Sequence, residues 1–147
     1  MSTYQIRSAK PADINFIYAT WLNSQKYDTA LGLSCRKALF FEQYRLVIDT
    51  ILASEATQVL VAVLPENEDV ILGYLVFQTP DTLHYAFVKE AFRKLGIAKQ
   101  LIEKAYPSFL EKNKNLYFSH SSKYAQPILK KFTNLTFNPF LLYKKES

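Results

Sequence analysis

Apolar side chains in the first third of the chain recur with the period of an α-helix. Between residues 11 and 24 they fall at i, i+3, i+4, i+7 and i+8, which marks one face of a helix. These positions are Ile14, Ile17, Tyr18, Trp21 and Leu22. The same spacing returns over residues 36–54, at Phe40, Phe41, Tyr44, Val47, Ile48, Ile51 and Leu52. We therefore predict two amphipathic helices, joined over residues 25–36 by a loop or an irregular helical connection.

Short runs of β-branched residues, bounded by turn residues, predict the strands. A first strand covers residues 4–8, and a hairpin joins residues 59–64 to residues 70–77 across a polar turn. A further strand over residues 82–88 follows a second turn, so the three middle strands should be antiparallel neighbours. Gly73, inside the second strand of the hairpin, indicates a bulge or a close approach of two backbones.

The helical spacing returns after residue 96, at Ile97, Leu101, Ile102, Ala105 and Phe109. Pro107 lacks a backbone N–H and clashes with the preceding turn, so we expect this helix to kink or to end early. A strand over residues 116–119 follows. Because a helix separates it from the strand at 82–88, these two strands should lie parallel.

The last third of the chain is predicted to hold a short helix beginning near Gln126 and edge strands over residues 135–137 and 140–143. The elements together define a mixed α/β (α+β) fold. Its central sheet is mostly antiparallel with one parallel strand pair, and about four helices flank it. No internal repeat or linker divides the sequence, so we predict one domain over residues 1–147.

Composition narrows the functional classes. Hydrophobic residues make up 49% of the 147 residues, which favours a folded chain over a disordered one. The single cysteine, Cys35, excludes a disulfide within the chain and a cysteine-based zinc site. No apolar run approaches membrane-spanning length and no signal-peptide pattern opens the sequence. We therefore expect a soluble cytoplasmic protein without a membrane partner.

The charge of the chain favours anionic partners. The formal net charge is +5 and the pI is about 9.2, which suits coenzymes rich in phosphate. The lysines are dispersed in small groups rather than gathered in one block, so nucleic-acid binding is only weakly supported.

The segment from Arg93 to Ala98 predicts an anion site. Gly96 stands beside a helix start, where it lets a ligand approach the backbone closely. The first N–H groups of a helix lack intrahelical partners and lie at the positive end of the helix dipole. A phosphate there would be held by backbone donors, with Arg93 and Lys94 adding positive charge.

This segment has the pattern Arg93-x-x-Gly96-x-Ala98 after a strand that ends at Val88, with Phe92 directly before the arginine. Together with the element order, it resembles the acetyl-coenzyme A signature of the GNAT superfamily of N-acetyltransferases. The resemblance covers essentially the whole chain, and the architecture is also similar to that of small acetyltransferase-like proteins encoded by tailed phages. The resemblance implies a parallel strand pair that splays around the coenzyme, acetyl-coenzyme A as cosubstrate, and no metal.

The same resemblance implies roles for particular residues. The pyrophosphate of the coenzyme would be wrapped, mainly by backbone N–H groups, by Arg93, Lys94, Leu95, Gly96, Ile97 and Ala98. The backbone of Phe87 and Val88 would pair with the pantetheine arm and polarise the thioester carbonyl.

Catalysis in this family is direct attack of an amine on the thioester, which needs a general base and a general acid. His84 lies four residues before Val88, at the position of the base in several family members. A strand histidine that makes an ordinary hydrogen bond explains His84 equally well, and His120, at the end of the next strand, is a weaker candidate. The usual tyrosine acid falls on Phe132, which has no proton to give. Tyr124 is the nearest replacement, although a structural role explains Tyr124 better, and without a tyrosine acid water would protonate the thiolate or the chemistry would be weakened.

The expected function is therefore transfer of an acetyl group from acetyl-coenzyme A to a primary amine of a small molecule or a protein. Phe132 keeps open an alternative, a non-catalytic GNAT-like binding module such as a phage protein acting in the host cytoplasm. The positive charge keeps open an acceptor amine on a nucleic acid or an aminoacyl-tRNA. Exposed strands near the C-terminus leave both a monomer and a homodimer open.

Overall fold

The computed structural model describes residues 3–107, 115–120 and 134–143 of the chain. Within these residues one six-stranded sheet forms, with its strands in the order β1-β2-β3-β4-β5-β6. The strands are β1 (Gln5–Ser8), β2 (Thr57–Leu64), β3 (Asn67–Gln78), β4 (Thr82–Val88), β5 (Leu116–Phe118) and β6 (Leu135–Phe137).

The first four strands pair antiparallel, whereas β4–β5 and β5–β6 pair parallel. The mixed sheet, the hairpin and the antiparallel middle strands are confirmed, and so is the parallel pair separated by a helix. The parallel part extends further than predicted, because β6 also pairs parallel to β5.

The described residues contain four α-helices. These are α1 (Ile14–Asp28), α2 (Ala30–Ser34), α3 (Lys37–Ala53) and α4 (Ile97–Ala105). Short 3₁₀ turns cover Pro11–Asp13, Glu90–Phe92 and Pro139–Tyr143. The helices predicted over 11–24 and 36–54 are confirmed, and the connection between them is helical: α1 continues to Asp28 and α2 follows.

An apolar cluster is buried on each face of the sheet. The cluster under α4 contains Leu72, Leu75, Leu83, Ile97, Leu101 and Leu116. The cluster under α1 and α3 contains Ile17, Trp21, Ile48, Val61, Tyr74 and Tyr85. The Trp21 ring is fully buried and stacks on Tyr85, with centroids 5.2 Å apart, so its predicted place in the core is confirmed.

Two local predictions about glycine and proline are also confirmed. Helix α4 ends at Ala105, before Pro107. A Cβ on Gly73 would stand 2.6 Å from the carbonyl oxygen of Phe87. On β2 the residue opposite Gly73 is Ala62, and the β2–β3 register shifts between Ala62 and Val63. Only glycine allows β3 and β4 to approach this closely.

The strand predicted over residues 140–143 is wrong. Asn138 and Pro139 start a 3₁₀ turn instead, in which Oδ1 of Asn138 accepts a hydrogen bond from the N–H of Phe140 (3.1 Å). The asparagine side chain thereby replaces a strand partner for the backbone, as it commonly does in turns. The helix predicted near Gln126 lies outside the described residues.

Within the described part of the chain, no helix combines the length and apolar character needed to cross a bilayer. The assignment of residues 1–147 to one domain stays a prediction.

Candidate functional site

Strand β4 has one side that no described strand covers over most of its length, and this is called its open side below. On one edge it pairs with β3 from Thr82 to Val88, but on the other edge β5 pairs only with Thr82 and Leu83. The amide of Ser119 still donates to the carbonyl of Leu83 (3.0 Å). Among the described residues, β4 therefore has no strand partner on its β5 side over residues 84–88.

Alternation along β4 decides which backbone groups face this opening. Lys89 donates to the carbonyl of Leu72 (2.8 Å), and Phe87 lies opposite Tyr74, so the backbone groups of Phe87 and Lys89 turn towards β3. Those of Ala86 and Val88 turn towards the opening. Of the two predicted pantetheine contacts, Val88 therefore has the suitable backbone direction.

The predicted anion loop follows β4 directly. Lys94 and Gly96 have positive φ angles of 75° and 78°, and Gly96 is the N-cap of α4 without a side-chain cap. A Cβ on Gly96 would meet none of the described residues within 4 Å, so among them open space lies against the backbone where the first N–H groups of α4 begin. Lys94, Leu95 and Gly96 are exposed. This loop has the backbone shape and the access that a pyrophosphate requires.

Arg93 joins the loop to the open side of β4. Its Nε donates to the carbonyl oxygen of Val88 at 3.0 Å. Because that carbonyl turns towards the opening, the guanidinium lies beside the coenzyme path that the sequence predicts. Ile97 is buried under the sheet and Ala98 is half-buried, so these two residues offer a ligand their backbone rather than their side chains.

A cleft of about 260 Å³ lies between α1 and the end of β4. Phe87 and Arg93 form one wall, and the other wall is a polar stripe on α1 consisting of Thr20, Asn23, Ser24 and Asp28. These four side chains did not emerge from the sequence as a site. Their spacing of i, i+3, i+4 and i+8 is helical, so a search for polar as well as apolar helix faces could have found them.

His84 lies at the point where β4 and β5 separate, and it is buried. Its Nδ1 is 2.7 Å from the hydroxyl of Ser119, and its Nε2 is 2.9 Å from Oε1 of Gln78. The Ser119 hydroxyl is also 2.8 Å from Nδ1 of His120. Four side chains thus form a continuous hydrogen-bonded chain, and His84 and His120 both belong to it.

The Gln78 oxygen fixes the direction of this chain. Since Oε1 only accepts, Nε2 of His84 carries the proton and Nδ1 must accept from the Ser119 hydroxyl. That hydroxyl oxygen then accepts from Nδ1–H of His120. Nε2 of His120 is left as a bare acceptor, and it is buried without a partner among the described residues.

Burial keeps both imidazoles neutral. Loss of hydration lowers the pKa of His84 to about 4. It lowers the pKa of His120 to about 3, with a further contribution from the nearby His84. The His120 ring packs edge-on against Trp21 and Tyr44, with centroids at 5.2 and 5.8 Å, which explains why it is shielded from water.

This burial predicts a loss of stability in mild acid. The folded pKa values of His84 and His120 lie below the usual 6.5, so below pH 6.5 the unfolded chain binds protons that the folded chain does not. The contribution of the two neutral histidines to the free energy of unfolding is complete above about pH 6.5 and is lost as the pH falls towards 4. The loss amounts to about 1.4 kcal/mol per histidine for each unit by which its folded and unfolded pKa values differ. Urea unfolding between pH 7.5 and 4.5 measures it.

The matched variant for this prediction carries His84→Gln and His120→Gln, which remove both titrating groups. Its unfolding free energy should change much less between pH 7.5 and 4.5 than that of the wild type. The Asp13 carboxyl, whose pKa the Arg7 guanidinium lowers, titrates below this range. An equal pH dependence in the two proteins would show that the histidines are not buried and neutral.

Tyr124 and Phe132, the predicted replacement acid and the residue at the usual acid position, lie outside the described residues. Among the described residues, no three histidine, cysteine, aspartate or glutamate side chains come together as metal ligands.

A family model described as an acetyltransferase (GNAT) domain matches residues 38–133. A search of curated protein sequences gave no match. The resemblance to phage-encoded acetyltransferases stays a prediction.

Several solved structures share the fold. A protein assigned as an acetyl transferase from Pyrococcus furiosus has a TM-score of 0.65 at 16% identity, covering 87% of this chain and 90% of that chain. A GCN5-related N-acetyltransferase from Rhodopseudomonas palustris has a TM-score of 0.58 at 19% identity, covering 89% of this chain and 81% of that chain. A ribosomal-protein-alanine N-acetyltransferase from Brucella melitensis has a TM-score of 0.55 at 14% identity, covering 87% of this chain and 89% of that chain. At these identities the likeness establishes the fold alone.

Proposed function

The chain belongs to the acetyltransferase (GNAT) domain family, and on this basis we propose that it is an enzyme that transfers the acetyl group of acetyl-coenzyme A to a primary amine. The observation that supports this most strongly is the open side of β4 from His84 to Val88, which leads directly into the Arg93–Ala98 loop. A strand with one open edge can pair with an extended ligand, and the loop beyond it suits a pyrophosphate.

The residues present fit the coenzyme. The N–H groups at the start of α4 and the side chains of Arg93 and Lys94 would hold the pyrophosphate, and the open space at Gly96 leaves room for it. The backbone of Val88 would pair with the pantetheine arm, while Phe87 contributes its ring to the adjoining cleft. When bound, the coenzyme supplies the thioester that the amine attacks.

The amine must attack as a neutral nucleophile, so a base has to accept its proton. We assign this role to His84 acting through Ser119 and His120, because both ring nitrogens of His84 already contact protein groups. A proton accepted by Nε2 of His120 would release the Nδ1 proton to Ser119. The serine proton would then pass to Nδ1 of His84. Tyr124 remains the proposed acid for the departing thiolate.

The test of the function is release of coenzyme A from acetyl-coenzyme A in the presence of a panel of primary amines and a lysine peptide. We expect release that depends on the amine and falls about 100-fold in kcat for His84→Gln, a typical loss for a missing general base. Ser119→Ala, which interrupts the chain, should show a similar loss. The KM for acetyl-coenzyme A should stay within about twofold in both variants.

An exposed substitution on α3, Gln43→Ala, serves as the control and should leave kcat unchanged. Thermal unfolding of each variant separates lost chemistry from lost fold. Unchanged turnover in folded His84→Gln and Ser119→Ala would exclude the histidine chain while leaving acetyl transfer intact.

A competing function is a GNAT-like module that binds the coenzyme without transferring its acetyl group. The low pKa values of His84 and His120 favour it, because a base with such a pKa accepts a proton from an alkylammonium group poorly. The same assay decides between the two: coenzyme binding without amine-dependent release supports the module. A nucleic-acid acceptor predicts retention of RNA or DNA that weakens with added salt.

A further inference from the structure

The cleft between α1 and β4 has an asymmetric charge. Of the described residues that line it, Asp28 is the one with a negative charge, and Arg93 is the one with a positive charge. Arg93 contacts the carbonyl of Val88 and lies at the start of the loop assigned to the pyrophosphate. Once phosphates neutralise Arg93, the charge that remains in the cleft is the Asp28 carboxylate.

The position of Asp28 strengthens its attraction for cations. It is the last residue of α1, and the last carbonyl groups of a helix form the negative end of its dipole. The cation in that last turn, Lys26, donates its Nζ hydrogens to the carbonyls of Gly32 and Cys35, so a further cation beside Asp28 would be favourable there. The Ser24 hydroxyl lies within hydrogen-bonding distance of Asp28 Oδ2 (3.5 Å), and the exposed Asn23 adds a further polar group at the rim.

The opposite wall of the cleft suits the carbon chain of a small ligand. The Phe87 side chain lines the cleft and packs against Phe16, with centroids 5.8 Å apart, which holds its ring in place. The cleft has a volume of about 260 Å³. The cleft therefore accommodates a short aliphatic chain with a polar group at each end.

Asp28 is poorly suited to hold the nitrogen that reacts. A neighbouring carboxylate stabilises an ammonium and so keeps the nitrogen protonated, whereas attack on a thioester requires the neutral amine. A carboxylate in an acceptor site is better used to bind a second, non-reacting cation of the acceptor.

We propose that the acceptor is a small aliphatic amine with a second cationic group, such as a diamine, and that Asp28 binds this second group while the chain of the acceptor lies on Phe87. This proposal rests on the proposed acetyl transfer for the identity of the cleft as the acceptor site.

Binding of a matched pair of amides tests the proposal. The protein is saturated with coenzyme A, and N-acetyl-1,4-diaminobutane or N-pentylacetamide, which has a methyl in place of the free amino group, is titrated in. The acetylated nitrogen is neutral in both ligands, so only the free amino group can pair with Asp28. We expect the ligand with the free amino group to bind about tenfold or more tightly, because a charge-assisted hydrogen bond is gained. Asp28→Asn should remove this preference and leave binding of N-pentylacetamide within about twofold.

Glu42→Gln, which removes an exposed carboxylate on α3, is the control and should leave the preference intact. Equal binding of the two amides by the wild type, no measurable binding of N-acetyl-1,4-diaminobutane, or a preference that survives Asp28→Asn would overturn the proposal. The coenzyme A titration that precedes each experiment reports on the proposed function separately. If coenzyme A does not bind, acetyl transfer is excluded, and the same two amides are then titrated into the protein alone with the same criteria.

Discussion

Replacing Gly32 with alanine is expected to destabilise the protein by about 3 kcal/mol or more, the largest effect on stability that we predict for a single methyl group. A Cβ at this position would stand 2.2 Å from the carbonyl oxygen of Gln25 and 2.3 Å from that of Lys26. Both atoms belong to the backbone of α1, so no side-chain rotation relieves the overlap. The alanine would force α2 away from α1.

The contact that would be lost involves a buried lysine. Lys26 is 7% exposed, and its Nζ donates to the carbonyl oxygens of Gly32 (2.6 Å) and Cys35 (2.9 Å). Thr29 caps α2 by accepting from the N–H of Gly32 (3.0 Å). Moving α2 would break these bonds together and leave an ammonium buried with fewer partners, which is costly.

Urea unfolding of Gly32→Ala measures this effect, and Gly96→Ala is its matched control. A Cβ on Gly96 meets nothing within 4 Å, although its φ of +78° is strained for alanine. The control should therefore lose only about 1–2 kcal/mol. A smaller loss for Gly32→Ala than for Gly96→Ala would contradict the close approach of α1 and α2.

Arg93→Glu combined with Gly96→Glu is expected to weaken binding of acetyl-coenzyme A by about 100-fold or more. The first change places a negative charge where the guanidinium contacts Val88. The second sends a carboxylate into the open space beside the first N–H groups of α4. Two negative charges would then face the pyrophosphate, and the side chain at position 96 would occupy part of its room.

The control for this prediction carries the same change in net charge elsewhere. Lys104→Glu, in the last turn of α4, with Gln43→Glu, on α3, alters two exposed residues. Its affinity for the coenzyme should stay within about threefold of the wild type, a difference that long-range electrostatics alone can produce. An equal loss in the two double variants would mean that net charge, rather than the loop, governs binding.

Local patterns predicted most of the fold because each of those elements carries its own signal. The β-branched run at 59–64 identified the hairpin, the turn before residue 82 identified β4, and the Arg93–Ala98 pattern identified the start of α4. The prediction of a strand over residues 140–143 was wrong because the aromatic and aliphatic residues there suit a strand. The Asn138 side chain, which stabilises a turn instead, was the stronger local determinant.

The candidate site was predictable only where it is continuous in sequence. Residues 93–98 are neighbours along the chain, so their backbone role followed from their spacing. Ser119 approaches His84 because β5 pairs parallel to β4 for two residues and then diverges, and no local pattern encodes that contact. Asp28 joins Phe87 in one cleft through the packing of α1 on the sheet, which likewise depends on tertiary structure.

Isothermal titration of the wild-type protein with acetyl-coenzyme A tests the central claim most directly, because the open side of β4 and the loop at Arg93–Ala98 are assigned to this ligand. We predict saturable binding of one coenzyme per chain, lost in the Arg93→Glu, Gly96→Glu variant and retained in the charge-matched control. Absence of binding to the folded wild type, or undiminished binding to the loop variant, would contradict the assignment.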